Sequence, residues 1–299
     1  MEGSKTSSGS WSGYVPALLA TIIWSGNFIV ARGLSEQVEP VTLAFYRWST
    51  ATLALLPFGL RGLVRQRREV AAHLRHLVPV AFLGVTIFNS LLYLAAKSTT
   101  ALNLSLIAVT TPIFILGLAL IFLREAVSFR QWSGVVLAAA GIVVLATEGD
   151  LSRLAGLELK PGDLWMLLAS LDFAVYTILV RRKPPLLAPV TYLMATFSLG
   201  VLMLLPWAAW EWSAHPPSWP TLSVLGSILY IGVGASLLSY LFWNRAVSTI
   251  GPARAGAIYY SLPVFCGLEA WLILGEPVTW ANMVSGFLVI SGIAAASKQ

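Results

Sequence analysis

Residues 39–57, EPVTLAFYRWSTATLALLP, are repeated in outline at residues 188–206, APVTYLMATFSLGVLMLLP. Pro40, Thr42 and Pro57 stand 149 positions before Pro189, Thr191 and Pro206, and the same spacing pairs Ala20 with Ala169 and Arg32 with Arg181. Further along the spacing becomes 151, linking Pro112-Ile-Phe to Pro263-Val-Phe, Glu125-Ala-Val to Glu276-Pro-Val, Leu137 to Leu288 and Gly141 to Gly292. A two-residue difference in the loop after the second apolar run accounts for the change. Matches that keep one order across both halves identify an internal duplication.

The duplicated unit is apolar. Of 299 residues, 57% are hydrophobic and 11% charged, and the mean hydropathy is +0.78, so polar side chains are too few to cover a water-soluble globule of this size. The runs approach the roughly 20 residues that cross a hydrocarbon core. They are continuous and rich in Leu and Ala, without the alternation of barrel strands, so helices are expected. Ten spans follow: Tyr14 to Val30, Val41 to Leu60, Leu77 to Ala96, Ala101 to Leu123, Gln131 to Ala146, Leu164 to Val180, Thr191 to Trp210, Leu222 to Ala246, Ala253 to Leu274 and Met283 to Ala296. The short spans imply tilt or longer helices. The expected organisation is a disordered tail (residues 1–13), a first repeat (14–147), a linker (148–162) and a second repeat (163–299). The fold class is an all-α membrane protein.

Five is an odd number, so the second copy must enter the bilayer from the opposite face and the repeats are inverted. Exchanging the conformations of two such halves opens a central cavity first to one side and then to the other. That is the behaviour of an alternating-access carrier.

Basic residues give the orientation. With the N-terminus inside, Lys5, Arg61, Arg65, Arg67, Arg68, Arg75, Arg124, Arg130, Arg181, Arg182, Lys183 and Lys298 fall on the inner side, against Arg32, Lys97, Arg153 and Lys160 outside. Both termini are therefore expected in the cytoplasm. The net charge of +6 is a topology signal, and no nucleic-acid partner is implied. Trp207, Trp210, Trp212 and Trp219 are read as interfacial anchors in the seventh connector. The N-terminus lacks the apolar core of a cleaved secretory signal, and Cys266, the single cysteine, permits no intrachain disulfide.

The five-plus-five plan, the Glu125 and Glu276 turns before a glycine-bearing last span, and the Pro112 and Pro263 spans resemble the drug/metabolite transporter superfamily. Within it, the EamA-type exporters are most similar. The resemblance spans about residues 14 to 297 and implies that spans three, four, eight and nine line the cavity while five and ten pack away from it. Aromatic amino acid exporters of bacterial inner membranes look closest among the members.

Polar groups inside hydrocarbon are costly unless they meet a cavity or a partner. Asn89 and Tyr93 are four residues apart, on one helical face, and the 151 spacing places them on Tyr240 and Asn244: the same pair, swapped. Together they would offer two carboxamides and two phenols to a zwitterion, or else hydrogen bonds that hold the bundle. Thr110 corresponds to Ser261, each just ahead of a proline, and Pro112 and Pro263 are expected to kink their helices as hinges or static bends. Ser105, Tyr259 and Tyr260 add to the lining. Trp24 and Asn27 correspond to Phe173 and Tyr176 and would suit an aromatic substrate. Among charged groups within spans, Arg47, Asp172, Arg254 and Glu269 are candidates for proton or charge coupling, Asp172 alternatively pairing with Arg47, and Arg254 for holding a carboxylate.

No cofactor and no metal is called for: His73, His76 and His215 have no ligand spacing, and neither a Walker loop nor a nucleophile elbow is present. The expected function is secondary export of small organic metabolites, foremost amino acids, across an inner membrane, driven by a gradient. The expected partners are a small-molecule substrate and the lipid bilayer, with a monomer sufficient. Exchange of sugar phosphates or nucleotide sugars would need several cavity cations. An intramembrane enzyme would need a catalytic pair, and a receptor would bind without moving its ligand.

Overall fold

In a computed structural model of the chain, the described residues are 8–98, 104, 107–108, 110–124, 128–147, 149–150, 152, 161–217, 220–274 and 280–297. All regular structure among them is helical: α1 (Ser8–Leu34), α2 (Pro40–Arg65), α3 (Arg67–Ala72), α4 (Leu74–Ser98), α5 (Thr110–Leu123), α6 (Phe129–Thr147), α7 (Pro161–Arg181), α8 (Pro189–Ala214), α9 (Leu222–Ile250), α10 (Pro252–Tyr259), α11 (Leu262–Leu274) and α12 (Trp280–Ser297). The helix α3 is a surface turn, and α10 with α11 forms one interrupted span, which gives ten spans in two five-span halves.

The helices outrun their apolar cores. Pro40 and Pro189 start α2 and α8 at the first helical turn, where a missing N–H is harmless. Both helices run 26 residues, about 39 Å, and continue through Pro57 and Pro206. Two expectations are corrected as a result. Arg61 and Arg65 lie on the last turns of α2 and not in a loop, and Trp207, Trp210 and Trp212 lie on α8 and not in the following connector, because helical turns continue into the interface where side chains reach water or headgroups. Trp207 and Trp210 are exposed, while the Trp212 indole donates to Thr42 Oγ1 at 2.9 Å. Trp219 lies outside the described residues, as do Glu125 and Glu276.

Packing obeys a two-fold axis. Two antiparallel pairs, α2 with α8 and α6 with α12, each join a helix to its own repeat mate. The remaining contacts come in equivalent sets: α1 lies on α9 as α7 lies on α4, α1 on α10 and α11 as α7 on α5, and α2 on α9 as α8 on α4. Each half is therefore built into the other. Hydrogen bonds repeat the pattern. Arg32 donates to Ala96 O at the end of α4 (2.8 Å), and its mate Arg181 donates to Ser248 O at the end of α9 (3.0 Å), each placing a cation where helix carbonyls lack partners.

Both α4 and α9 depart from α geometry at equivalent places, in π-helical segments Phe82–Ile87 and Tyr230–Leu238. The wider turn alters the carbonyl register and presents backbone oxygens to neighbouring helices. Gly84 and Gly232 permit the close approach: a Cβ on Gly84 would enter the Tyr176 ring, and one on Gly232 would lie 2.6 Å from Thr50 Cβ and 3.0 Å from Arg47 O.

Candidate functional site

The two π segments meet the middle of the bundle, and their carbonyls are where the buried polar groups converge. Arg47 on α2, 1% exposed, donates from Nε to Ser236 Oγ (2.5 Å), from Nη1 to Asn27 Oδ1 (2.9 Å) and Tyr93 OH (3.0 Å), and from Nη2 to Ala235 O (3.0 Å). Its guanidinium also lies 5.5 Å from the centre of the Trp48 ring. Every acceptor is neutral, and among the described residues no carboxylate reaches ion-pair distance of it. One Nη2 N–H is left over, since guanidinium carries five donors.

The same architecture recurs in the other half without the charge. Tyr93 OH donates to Asn27 Oδ1 at 3.4 Å; at the equivalent positions Tyr176 OH donates to Asn244 Oδ1 at 2.8 Å. Ala235 O accepts Trp24 Nε1 at 2.8 Å as well as Arg47, and its mate Gly84 O accepts Tyr240 OH at 2.7 Å. By the 149 spacing, the position of Arg47 is Thr196 in the second half, and that of Asp172 is Ile23 in the first. The charges are the parts that break the symmetry.

Aromatic rings surround this centre. Trp24 meets Phe173 edge-on at 5.4 Å, Trp243 at 5.3 Å, Tyr240 at 5.8 Å and Tyr259 at 6.0 Å, and Phe88 meets Phe173 at 4.9 Å. Such pairs contribute about 0.5–1.5 kcal/mol each beyond burial. Between them a narrow crevice of about 10 Å³, room for about one water molecule, is lined by Trp24, Asn27, Phe28, Arg47, Phe88, Leu92, Phe173 and Tyr259. A larger cleft of about 400 Å³ opens at the end of the bundle opposite the N-terminus, between the α1–α2 turn and the α8–α9 connector, lined by residues including Glu36, Glu39, Thr42, Tyr46 and His215.

Of the residues singled out by sequence, Trp24, Asn27, Arg47 and Tyr259 line the central cleft. Tyr93, Tyr176, Tyr240 and Asn244 stand behind it in the hydrogen-bond clusters just described. Asn89 is fully buried with both amide atoms unpartnered. The swapped pairs on α4 and α9 thus divide between two clusters, because Tyr93 and Asn244 each turn toward the first span of their own repeat. Thr110 Oγ1 bonds Ile107 O and Ser261 Oγ bonds Ile258 O, both at 2.6 Å and at equivalent positions. Ahead of Pro263 the helix breaks at Tyr260 and Ser261; ahead of Pro112, Ile107, Ala108, Thr110 and Thr111 are helical. The Tyr260 hydroxyl is buried without a partner.

Asp172 does not pair with Arg47. It is 8% exposed, its Oδ2 is unpartnered, and it lies one helical turn before Tyr176. Glu269 is half-buried, its Oε2 unpartnered and facing Gly26 on α1, and Arg254 is half-buried in the first turn of α10. Ser105 lies outside the described residues. Sequence reasoning passed over Phe28, Phe88, Leu92 and Trp243 as ordinary apolar residues, and over Ala235 O and Gly84 O, since backbone carbonyls leave no mark in a sequence beyond nearby glycines.

Comparison with known proteins agrees with this architecture. The signature of the EamA-like transporter family matches twice, at residues 11–147 and 160–298. An uncharacterised transporter of Archaeoglobus fulgidus is 28% identical over 92% of this chain and 93% of its own. A protein named as a probable terminal-alkyne amino-acid exporter, from Streptantibioticus cattleyicolor, is 25% identical over 95% of this chain and 93% of its own. A protein of known crystal structure superposes with a TM-score of 0.76 at 20% identity, over 96% of each chain, and so shares the fold. The duplicated signature covers nearly every residue of a helical bundle built from two repeats, and the chain belongs to the EamA-like transporter family of multi-pass membrane transporters, not to a family of enzymes.

Proposed function

We propose that the protein is a secondary carrier that exports amino acids with apolar or aromatic side chains across a bacterial-type inner membrane, both termini facing the cytoplasm. The observation that carries this reading is the Arg47 guanidinium, buried at the wall of an aromatic cleft with no carboxylate at ion-pair distance among the described residues. An uncompensated buried cation is costly, and a ligand carboxylate bound by its planar fork offsets that cost. The rings of Trp24, Phe88, Phe173 and Tyr259 present apolar faces to a side chain, and the Streptantibioticus relative is named for an amino-acid substrate.

Alternating access is the mechanism in keeping with the two-fold packing. The substrate sits where the repeats meet, and rocking one half against the other closes one side as the other opens. The chain's energy source is then a gradient of protons or of substrate. Exchange of phosphorylated sugars is not favoured, since one cation and not several faces the cleft among the described residues.

Purified protein in liposomes preloaded with unlabelled amino acid should accumulate labelled phenylalanine by counterflow. Absence of counterflow across a panel of amino acids would remove this substrate class.

A further inference from the structure

The turn that joins α2 to α4 carries charge for which the transport reading has no use. Between Arg61 and His76 stand five arginines, Arg61, Arg65, Arg67, Arg68 and Arg75, against a single acid, Glu69. We infer that this rim is a binding site for an anionic phospholipid: the guanidinium groups of Arg61, Arg65 and Arg68 hold the headgroup phosphate, and the exposed apolar face of α2 beside them takes an acyl chain. The inference goes beyond the amino-acid reading and does not depend on it.

Three observations carry it. First, the cations have no protein partner. All five arginines are exposed, and among the described residues none makes a side-chain hydrogen bond or an ion pair. The one acid lies 4.0 Å from His73 Nδ1 instead. A guanidinium left open in this way offers its planar fork to a phosphodiester, which accepts two parallel N–H bonds. Second, the cations stand at the head of an apolar stripe. Leu53, Leu56, Leu60 and Val64 recur at three- or four-residue intervals along α2, so they share one face, and all are exposed. Arg61 and Arg65 follow Leu60 and Val64 at the end of that face. On α4, Arg75 likewise stands beside Leu74, the first of an exposed row with Val78 and Phe82. In a bilayer such rows lie against acyl chains, and arginines at their ends reach the level of the headgroups. A soluble anion would meet the cations alone, whereas a phospholipid meets both. Third, the fold does not require these arginines. At the opposite end of the bundle the 149 spacing puts Trp210 in the place of Arg61 and Ala214 in that of Arg65. The same helical turns are built there without cations, so the charge is a property of this rim. Its position gives the binding a consequence. Gln66, between Arg65 and Arg67, is bonded to Leu186 O and Ala188 N at the start of α8, and His76 Nε2 lies 3.3 Å from Tyr192 OH on that helix. A lipid held by the arginines on either side of Gln66 therefore braces the seam between the repeats.

The test uses the full chain purified in detergent and reads binding without transport. Thermal unfolding is followed on adding phosphatidylglycerol, phosphatidylcholine with the same acyl chains, or glycerol 3-phosphate, and retained lipid is counted by native mass spectrometry. Phosphatidylglycerol should raise the unfolding temperature and be retained about tenfold more than phosphatidylcholine, because the attractions of several arginines to one anionic headgroup multiply. Glycerol 3-phosphate should have little effect. The triple variant Arg61→Gln, Arg65→Gln, Arg68→Gln should lose most of the preference, while Arg245→Gln, which alters an exposed arginine near the same end of the bundle, should keep it. Equal retention of the two lipids by the unaltered protein, a measurement that needs no variant, overturns the inference, and so does a triple variant that keeps the preference. Stabilisation by glycerol 3-phosphate as strong as by phosphatidylglycerol makes the rim a soluble-phosphate site and overturns the lipid. A loss in Arg245→Gln as large as in the triple variant reduces the effect to diffuse surface charge and overturns the site. None of these readings involves amino-acid counterflow, so this inference and the proposed function stand or fall separately.

Discussion

Arg47 shows how one side chain can organise a membrane site. Four neutral acceptors fix its plane, from α1, α4 and both the side chain and backbone of α9, and they satisfy its hydrogen bonds without neutralising its charge. Replacing it by lysine keeps the charge but loses the fork and several of these bonds, so counterflow should fall about tenfold or more, a loss of roughly 1.4 kcal/mol in transition-state binding. Arg47→Ala should abolish counterflow and also lower the thermal unfolding temperature in detergent, because Asn27, Tyr93 and Ser236 each lose a charged hydrogen-bond donor. The second cluster offers a contrast. Tyr176→Phe removes the hydrogen bond to Asn244 Oδ1, whose partner Nδ2 already lacks a hydrogen bond among the described residues, and should destabilise the protein by about 1–3 kcal/mol in a melting assay while leaving the cation in place. Equal thermal stability in that variant would show that Asn244 finds another partner.

At the scale of helices, the π segments of α4 and α9 and the ends of α2 and α8 do the positioning. Gly232→Ala would put a methyl group 2.6 Å from Thr50 Cβ and 3.0 Å from a backbone oxygen of Arg47. Since the backbone cannot rotate aside, α2 must shift, at a cost of about 1–3 kcal/mol, and flux should fall with stability. The α2–α8 pair is clasped at both ends, unequally. Glu211 near the end of α8 accepts from Val41 N (3.2 Å), Thr42 N (2.6 Å) and Thr42 Oγ1 (2.6 Å), capping α2 with a carboxylate. At the other end Gln66 accepts from Ala188 N (3.3 Å) and donates to Leu186 O (2.9 Å). A charged acceptor at a helix N-terminus outweighs a neutral amide. Glu211→Ala should therefore cost about 1–2 kcal/mol and Gln66→Ala less, as read by thermal melts; the reverse order would reject the unequal clasp.

For the whole molecule, antisymmetry is the property on which transport rests. The helix order places residues 37 and 215 at one end of the bundle and residues 68 and 182 at the other. With Cys266 replaced by alanine, single cysteines at Gln37 and His215 should react with an impermeant thiol reagent from one side of the membrane, and those at Arg68 and Arg182 from the opposite side. Labelling of all four from one face would end the inverted-repeat description. Basic residues cluster at the Arg68 end, so the proposed orientation, with that end in the cytoplasm, expects Arg68 and Arg182 to be labelled from the cytoplasmic side.

Without coordinates, composition alone places this chain in a bilayer, because its polar residues cannot cover its apolar ones. Its duplicated pattern, read with the odd count of five spans, dictates two copies of opposite orientation. Those conclusions depend on quantities summed along the chain, so no contact needs to be known. Helix ends were less legible, since turns such as Trp207 to Ala214 continue past the apolar run. For the site, position along a span narrows the field to residues such as Trp24, Asn27, Arg47 and Asp172, but spacing within one helix cannot say which neighbour a side chain meets. Only the packed bundle turns Tyr93 toward Asn27 and Asn244 toward Tyr176, lends Arg47 the Ala235 carbonyl of a π turn, and keeps Asp172 from pairing with it. Those choices are made where helices cross, within one repeat for the two tyrosine–asparagine pairs and between repeats for Arg47, where residues some 190 positions apart come within 3 Å, and no local rule of sequence encodes them.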